Sequence, residues 1–276
     1  IAALFDDRSN IVVNTTGHGL TVERAEALRQ SGVFGAGISL DSHIPEVHDR
    51  LRGVEGAFDT AVNAVRIARD SGLYPYVIAV ASRELLERET FESFTNFAAG
   101  CGAMEIHLLE PCPVGNLAGS GETVIDDGCR ESIFAYQEEF SRRDDLPILS
   151  SFAYLESKDA FGCGAGMTHL YIDGTGEVCP CNFVPLSFGN AASEPLGDIL
   201  VRMGEYFAKP RTECAGHTLA GYIPDGLRPA DPESSARICR EHLPAEHDIP
   251  AFFRIRESSR SEERRVGKEC RSRWTA

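Results

Sequence analysis

Between Ile11 and Arg142 the chain alternates short β-branched runs with amphipathic stretches, and no hairpin turn separates them. I-V-V-N-T-T-G (11–17) ends in glycine, as a buried strand often does. Thr21 suits the N-cap of a helix that sets Val22, Ala25 and Leu28 on one face and closes at Gly32. G-A-G-I-S-L-D (35–41) reads as the next strand. Ala57 to Ser71 reads as a helix, with Phe58, Ala61, Val62, Val65 and Ala68 at helical spacing and Gly72 after it. Leu73–Ala81 is predicted as a third strand, Leu85–Ala99 as a third helix, Ala103–Glu110 as a fourth strand and Glu131–Arg142 as a further helix. Units of this length without hairpins require parallel strands joined by right-handed crossovers. The fold class is therefore α/β, with chemistry expected at the carboxyl ends of the strands. The period alone leaves a full barrel, a partial barrel and a doubly wound sheet open.

Bulk properties narrow the function. A formal net charge of −15 argues against a nucleic-acid surface, which needs a basic stripe. No apolar run approaches the roughly 20 residues that span a bilayer, so neither nucleic acid nor membrane is expected as a partner. Nine cysteines, clustered and without a signal peptide, point to a reduced, cytoplasmic, metal-binding use. Cys101, Cys112 and Cys129 read as packed thiols, and the later cysteines as ligands.

Those later cysteines flank a hairpin. Leu170–Ile172 reads as one strand, D-G-T-G as the turn and Glu177–Cys181 as the return strand. A hairpin brings its ends together, so Cys163 and Cys181 can converge across seventeen intervening residues. Cys179 and Cys181 would share a strand face about 7 Å apart, a spacing that suits a multi-iron cluster better than one zinc ion. Pro180 between them removes a backbone donor and marks an edge. A zinc ribbon is the alternative, since four thiolates also close a zinc site, but its paired C-x2-C knuckles are absent from the sequence. His169 beside the hairpin reads as an ordinary strand histidine.

The string G-I-S-L-D-S-H-I-P-E-V-H-D-R-L-R-G-V-E-G-A-F-D (37–59) resembles the fourth-strand segment of radical S-adenosylmethionine (SAM) enzymes. That resemblance implies the C-terminal part of a partial (β/α)6 barrel. It puts Ser39 and Asp41 at the strand tip near the SAM ribose and amino acid, and gives Arg52 the SAM carboxylate, which a guanidinium fork suits. His48 and Asp49 would organise the loop. N-T-T-G-H-G-L-T resembles the family's T-N-G-x-x-L, with Thr16 where asparagine is usual, and E-P-C-P-V-G-N (110–116) resembles the turn framing the adenine side of the pocket. Cys112 would sit near that mouth, chiefly as a packed turn cysteine.

From Cys163 through Gly176 to Cys181 the spacing C-x12-G-x4-C is similar to the opening of SPASM and Twitch auxiliary-cluster domains. P-L-S-F-G-N (185–190), a helix over Leu196–Phe207 and Cys214 continue the likeness, while the longer SPASM cysteine run is absent. A shorter, Twitch-like domain with one auxiliary [4Fe–4S] cluster is implied. Its ligands would be Cys163, Cys181, Cys214 and Cys179, with Cys239 and then Cys112 as competitors. The resemblance further implies reductive SAM cleavage to start radical modification of a peptide or small molecule. The auxiliary cluster would relay an electron, and a flavodoxin or ferredoxin would be the donor. The rival is a non-catalytic zinc- or iron–sulfur-binding module that binds a partner.

The chain itself lacks the family's C-x3-C-x2-C loop, which would hold a second [4Fe–4S] cluster, and its G-G-E strand. Both are expected upstream of Ile1, where I-A-A-L-F reads as the end of a helix; the fragment alone would then be inactive. The expected organisation is a partial radical SAM domain over 1–146, about strands three to six of the family barrel, and an auxiliary-cluster domain over 147–256. In the stretch from Arg260 to Trp274 six basic and three acidic residues invert the charge, and the string resembles a translated sequencing adapter. Residues 260–276, with Cys270, are accordingly left out of the fold reading.

Overall fold

The computed structural model of the chain describes residues 8–112, 117, 125–224 and 228–256. Residues 113–116 of the turn expected after Glu110, the residues around Ile1 and residues 260–276 lie outside them. The chain divides into two compact units.

The first unit runs to Pro111 and resumes over Ile125–Tyr154. Its strands are β1 (Ile11–Thr15), β2 (Val33–Ser39), β3 (Tyr74–Val80), β4 (Glu105–Leu109) and β5 (Ile148–Ser151). They form one sheet in sequential order, every pair parallel, as the alternation requires. Between them run α1 (Val22–Gln30), α2 (Pro45–Arg52), α3 (Ala57–Asp70), α4 (Arg83–Leu86), α5 (Arg88–Cys101) and α6 (Asp127–Phe140). α7 (Phe152–Leu155) follows β5. The fold class is the expected one, an α/β parallel sheet of partial-barrel type.

Local chemistry sets the element ends. The Thr21 hydroxyl accepts from the Arg24 N–H at 3.3 Å and starts α1. Asp126 does the same for α6 by accepting from Cys129, so this helix begins at Asp127 and not at Glu131. The single helix expected over Leu85–Ala99 is two. Ser82 caps α4, then Glu87 turns to an extended ψ of 132° and α5 begins anew. One sheet face packs on the helices: Ile38, Val77, Ile106 and Leu149 meet Val65, Phe91, Phe94 and Ile133 in the main core. The Phe91 ring stacks on Tyr136 at 4.5 Å and faces Phe140 at 5.6 Å.

The second unit comprises Leu155 onward together with Cys112. Its hairpin, β6 (Tyr171–Ile172) and β7 (Val178–Cys179), is antiparallel and shorter than expected. The Asp173 carboxylate accepts from the Thr175 and Glu177 N–H groups, and Gly176 takes φ +95°, which closes the turn. After it come α8 (Leu196–Gly204), which stops before Phe207, then α9 (Ala215–Leu219) and α10 (Pro232–His242). Leu186, Ile199, Met203, Leu219 and Ile238 form this unit's core. Cys181 does not continue β7. Pro180 offers no N–H, and the chain turns so that the Val184 N–H bonds the Cys181 carbonyl at 3.0 Å. Cys179 and Cys181 therefore do not share one strand face.

Candidate functional site

Residues of interest fall into two groups, one in each unit. In the first unit the register runs Ser39, Ile78, His107, Ser150 across four neighbouring strands. Thr16 lies one residue beyond Thr15, the partner of Ile38, and so stands level with Ser39. Beyond that row Asp41 is buried, its carboxylate accepting from the Val80 N–H at 3.1 Å. Its other oxygen pairs with Arg52 at 2.7 Å. Arg52 Nε is buried with no partner among the described residues. The guanidinium is thus fixed on one edge and keeps one donor uncommitted.

The loop behind this pair is tightly braced. The Asp41 N–H donates to His48 Nδ1 at 3.1 Å, and burial holds the His48 pKa below its ordinary value. Asp49 accepts from the Gly56 and Phe58 N–H groups at 2.7 and 2.8 Å, which lowers its own pKa. His48 and Asp49 organise the loop, as the sequence suggested.

The sheet face away from the core carries a polar network that sequence reasoning missed. Glu105 accepts from Tyr74 at 3.0 Å and Ser150 at 2.6 Å, and His107 Nε2 lies 2.7 Å from it. The His107 contact, followed by those from Ser150 and Tyr74, holds the Glu105 carboxyl down at about 2 against the opposing effect of burial. The Tyr76 hydroxyl donates to Asn14 at 2.6 Å, and its ring lies 4.6 Å from that of His107. Gly37 makes room for this layer, since a Cβ there would come within 2.5 Å of the Tyr76 ring. Alternation along β4 put Glu105 and His107 on one face. Nothing in the sequence paired them with Tyr74 and Ser150.

The second unit gathers thiols. Cys163 exchanges backbone hydrogen bonds with Arg211, 2.8 and 2.9 Å long, and Arg211 is itself buried. The Cys214 thiol donates to Cys163, the Ala215 and Ala165 N–H groups add to it, and Arg211 is near; together they bring the Cys163 pKa down to about 6 despite burial. Cys214 is correspondingly held protonated, its pKa raised by that same bond and by burial. Cys181 is within electrostatic reach of Cys163, and burial pushes its pKa up to about 11. Glu156, which the sequence did not flag, is near both; burial and then the Cys163 charge raise its pKa to about 7.

Cys179 is fully buried, with Asp173, Glu177 and Cys181 around it, and burial lifts its pKa to about 12. Cys239 is packed in the core near Arg211, its pKa raised to about 12 by burial. Cys112 is buried beside Gly216, where a Cβ would lie 3.4 Å from its sulfur. None of the described cysteines is in a disulfide.

These donors fit an iron–sulfur cluster. One thiolate is already favoured by N–H donors and a buried cation, and thiols raised by burial lose their protons on coordinating a metal.

Comparison with known proteins bears on both groups. Residues 163–216 match the SPASM family model, described as an iron–sulfur cluster-binding domain. The chain is 26% identical over 235 residues to the AdoMet-dependent heme synthase of Nitratidesulfovibrio vulgaris, covering 77% of this chain and 63% of that protein. It is 31% identical over 182 residues to the mycofactocin maturase MftC of Mycolicibacterium smegmatis, covering 62% of this chain and 44% of that protein. The chain thus spans about four- to six-tenths of the length of these relatives. Native anSMEcpe with bound AdoMet and the Cp18Cys peptide superposes with a TM-score of 0.57 at 13% identity, over 91% of this chain and 77% of that one. That likeness establishes the fold.

Proposed function

We propose, from the premise that this chain is a relative of radical SAM enzymes with SPASM-type iron–sulfur domains, that it is the SAM-facing and auxiliary-cluster portion of a longer enzyme. The parent would cleave SAM reductively and begin radical modification of a peptide or small molecule, drawing electrons from a flavodoxin- or ferredoxin-like donor. A peptide substrate is supported by the Cp18Cys peptide bound in the anSMEcpe structure and by the likeness to the maturase MftC. The observation that carries the reading is the thiol group of Cys163, Cys181 and Cys214 inside the SPASM-matched segment.

Bound SAM would supply hydrogen-atom abstraction from an unactivated carbon. The chain's own residues bind and orient. Arg52, held on one edge by Asp41, would offer the rest of its guanidinium fork to the SAM carboxylate, and Ser39 and Thr16 would meet the ribose and amino-acid end from the strand tips. Asp41 positions the guanidinium, so its loss would weaken SAM binding without removing a ligand contact. The Ala165 and Ala215 N–H groups hold charge on the Cys163 sulfur, a common means of tuning a cluster's potential.

The test is electron paramagnetic resonance of the full chain, reconstituted anaerobically with iron and sulfide and reduced with dithionite. A cubane signal that disappears in Cys163→Ser and Cys214→Ser supports the reading. A wild-type chain with no iron signal under the same conditions overturns it.

A further inference from the structure

The proposed auxiliary cluster needs a fourth ligand, and the spacing of the sequence favoured Cys179. The geometry points elsewhere: we propose that Cys112, from the segment after β4, supplies the fourth thiolate of the cluster held by Cys163, Cys181 and Cys214. The proposal rests on the cluster reading above.

Three observations support it. Cys112 belongs to the second unit and not to the sheet unit that precedes it in the chain. Its sulfur packs against Gly216, two residues after Cys214, at a distance of 3.4 Å from where a Cβ would stand. Gly216 also faces Phe183, whose backbone and Cβ would lie 3.1 Å from that same Cβ, and the Phe183 N–H donates to the Cys181 sulfur at 3.5 Å. A residue without a side chain therefore lets the Cys112 segment, the Cys214 turn and the Cys181 turn close on one another.

The competitors are less well placed. Cys179 lies at the end of β7, paired with Tyr171 inside the hairpin. Cys239 sits on α10, packed in the core of the unit. Four thiolates would leave no iron open to a substrate, which matches a cluster that passes electrons better than one that binds substrate. The ligand set would also join the SPASM-matched segment to the residue three beyond β4 in the chain.

The experiment compares iron, acid-labile sulfide and visible absorbance of the reconstituted full chain with those of Cys112→Ala, Cys112→Ser, Cys179→Ser and Cys239→Ser. Circular dichroism of each iron-free protein checks folding. Both Cys112 variants should lose most of their iron while Cys179→Ser and Cys239→Ser keep it. Adding 2-mercaptoethanol during reconstitution should restore the cluster in Cys112→Ala, which a purely structural role for Cys112 would not produce. Retention of wild-type iron by both Cys112 variants overturns the proposal, as does loss of iron without thiol rescue. Failure of the wild-type chain itself to hold iron strikes at the cluster reading beneath it, and is told apart by that control.

Discussion

Replacing Glu105 with glutamine tests whether the polar layer on the open sheet face is a built feature. The carboxylate takes hydrogen bonds from Tyr74 and Ser150 and contacts His107, and its side chain is only 17% exposed. Its pKa falls from 4.5 to about 2. At about 1.4 kcal/mol per tenfold change in proton affinity, that contributes about 3 kcal/mol to folding at neutral pH. Because the folded pKa is depressed, the contribution is complete above the unfolded value near 4.5. It drains away as pH falls from there toward 2. Urea denaturation followed by circular dichroism should show Glu105→Gln less stable than wild type by about 2–3 kcal/mol at pH 7. The gap should narrow between pH 4.5 and 3. A gap under about 0.5 kcal/mol at pH 7, or one unchanged from pH 7 to pH 3, would refute the reasoning.

Three further expectations follow from the sheet unit. Phe91→Ala, at a fully buried ring packed against Tyr136 and Phe140, should cost about 3–5 kcal/mol in the same denaturation assay. Gly37→Ala should cost about 1–3 kcal/mol, because the new methyl meets the Tyr76 ring and Asn14 and one of them must move. Calorimetry with SAM should show Arg52→Lys binding more weakly by roughly tenfold or more, since an ammonium cannot keep the Asp41 contact and also present a planar fork to a carboxylate. Equal affinity of Arg52→Lys and wild type would remove Arg52 from the SAM site.

What the sequence made legible was whatever short-range periodicity and caps encode. β-Branched runs ending in glycine, Thr21 before α1 and the apolar stripe of α3 all act within a few residues. β5 was not legible, because I-L-S-S is too short and too polar to announce a strand and becomes one through its ladder with β4. α2 was hidden by its polar composition, although Pro45 stands at its first turn. The break at Glu87 was invisible because glutamate is an ordinary helix former. At the candidate site, the C-x12-G-x4-C spacing brought Cys163 and Cys181 to attention. Cys112 and Glu105 gain their neighbours only through tertiary packing: Cys112 through the gap left by Gly216, and Glu105 through Tyr74 and Ser150 on adjoining strands.

The central claim is that the thiols of the second unit hold an iron–sulfur cluster. Its most direct test is elemental analysis of the full chain purified under strict anaerobiosis, with acid-labile sulfide measured on the same sample. The account predicts iron and sulfide in equal amounts, about four of each per chain, with a broad visible absorbance that bleaches on reduction. Stoichiometric zinc with neither iron nor sulfide would contradict it.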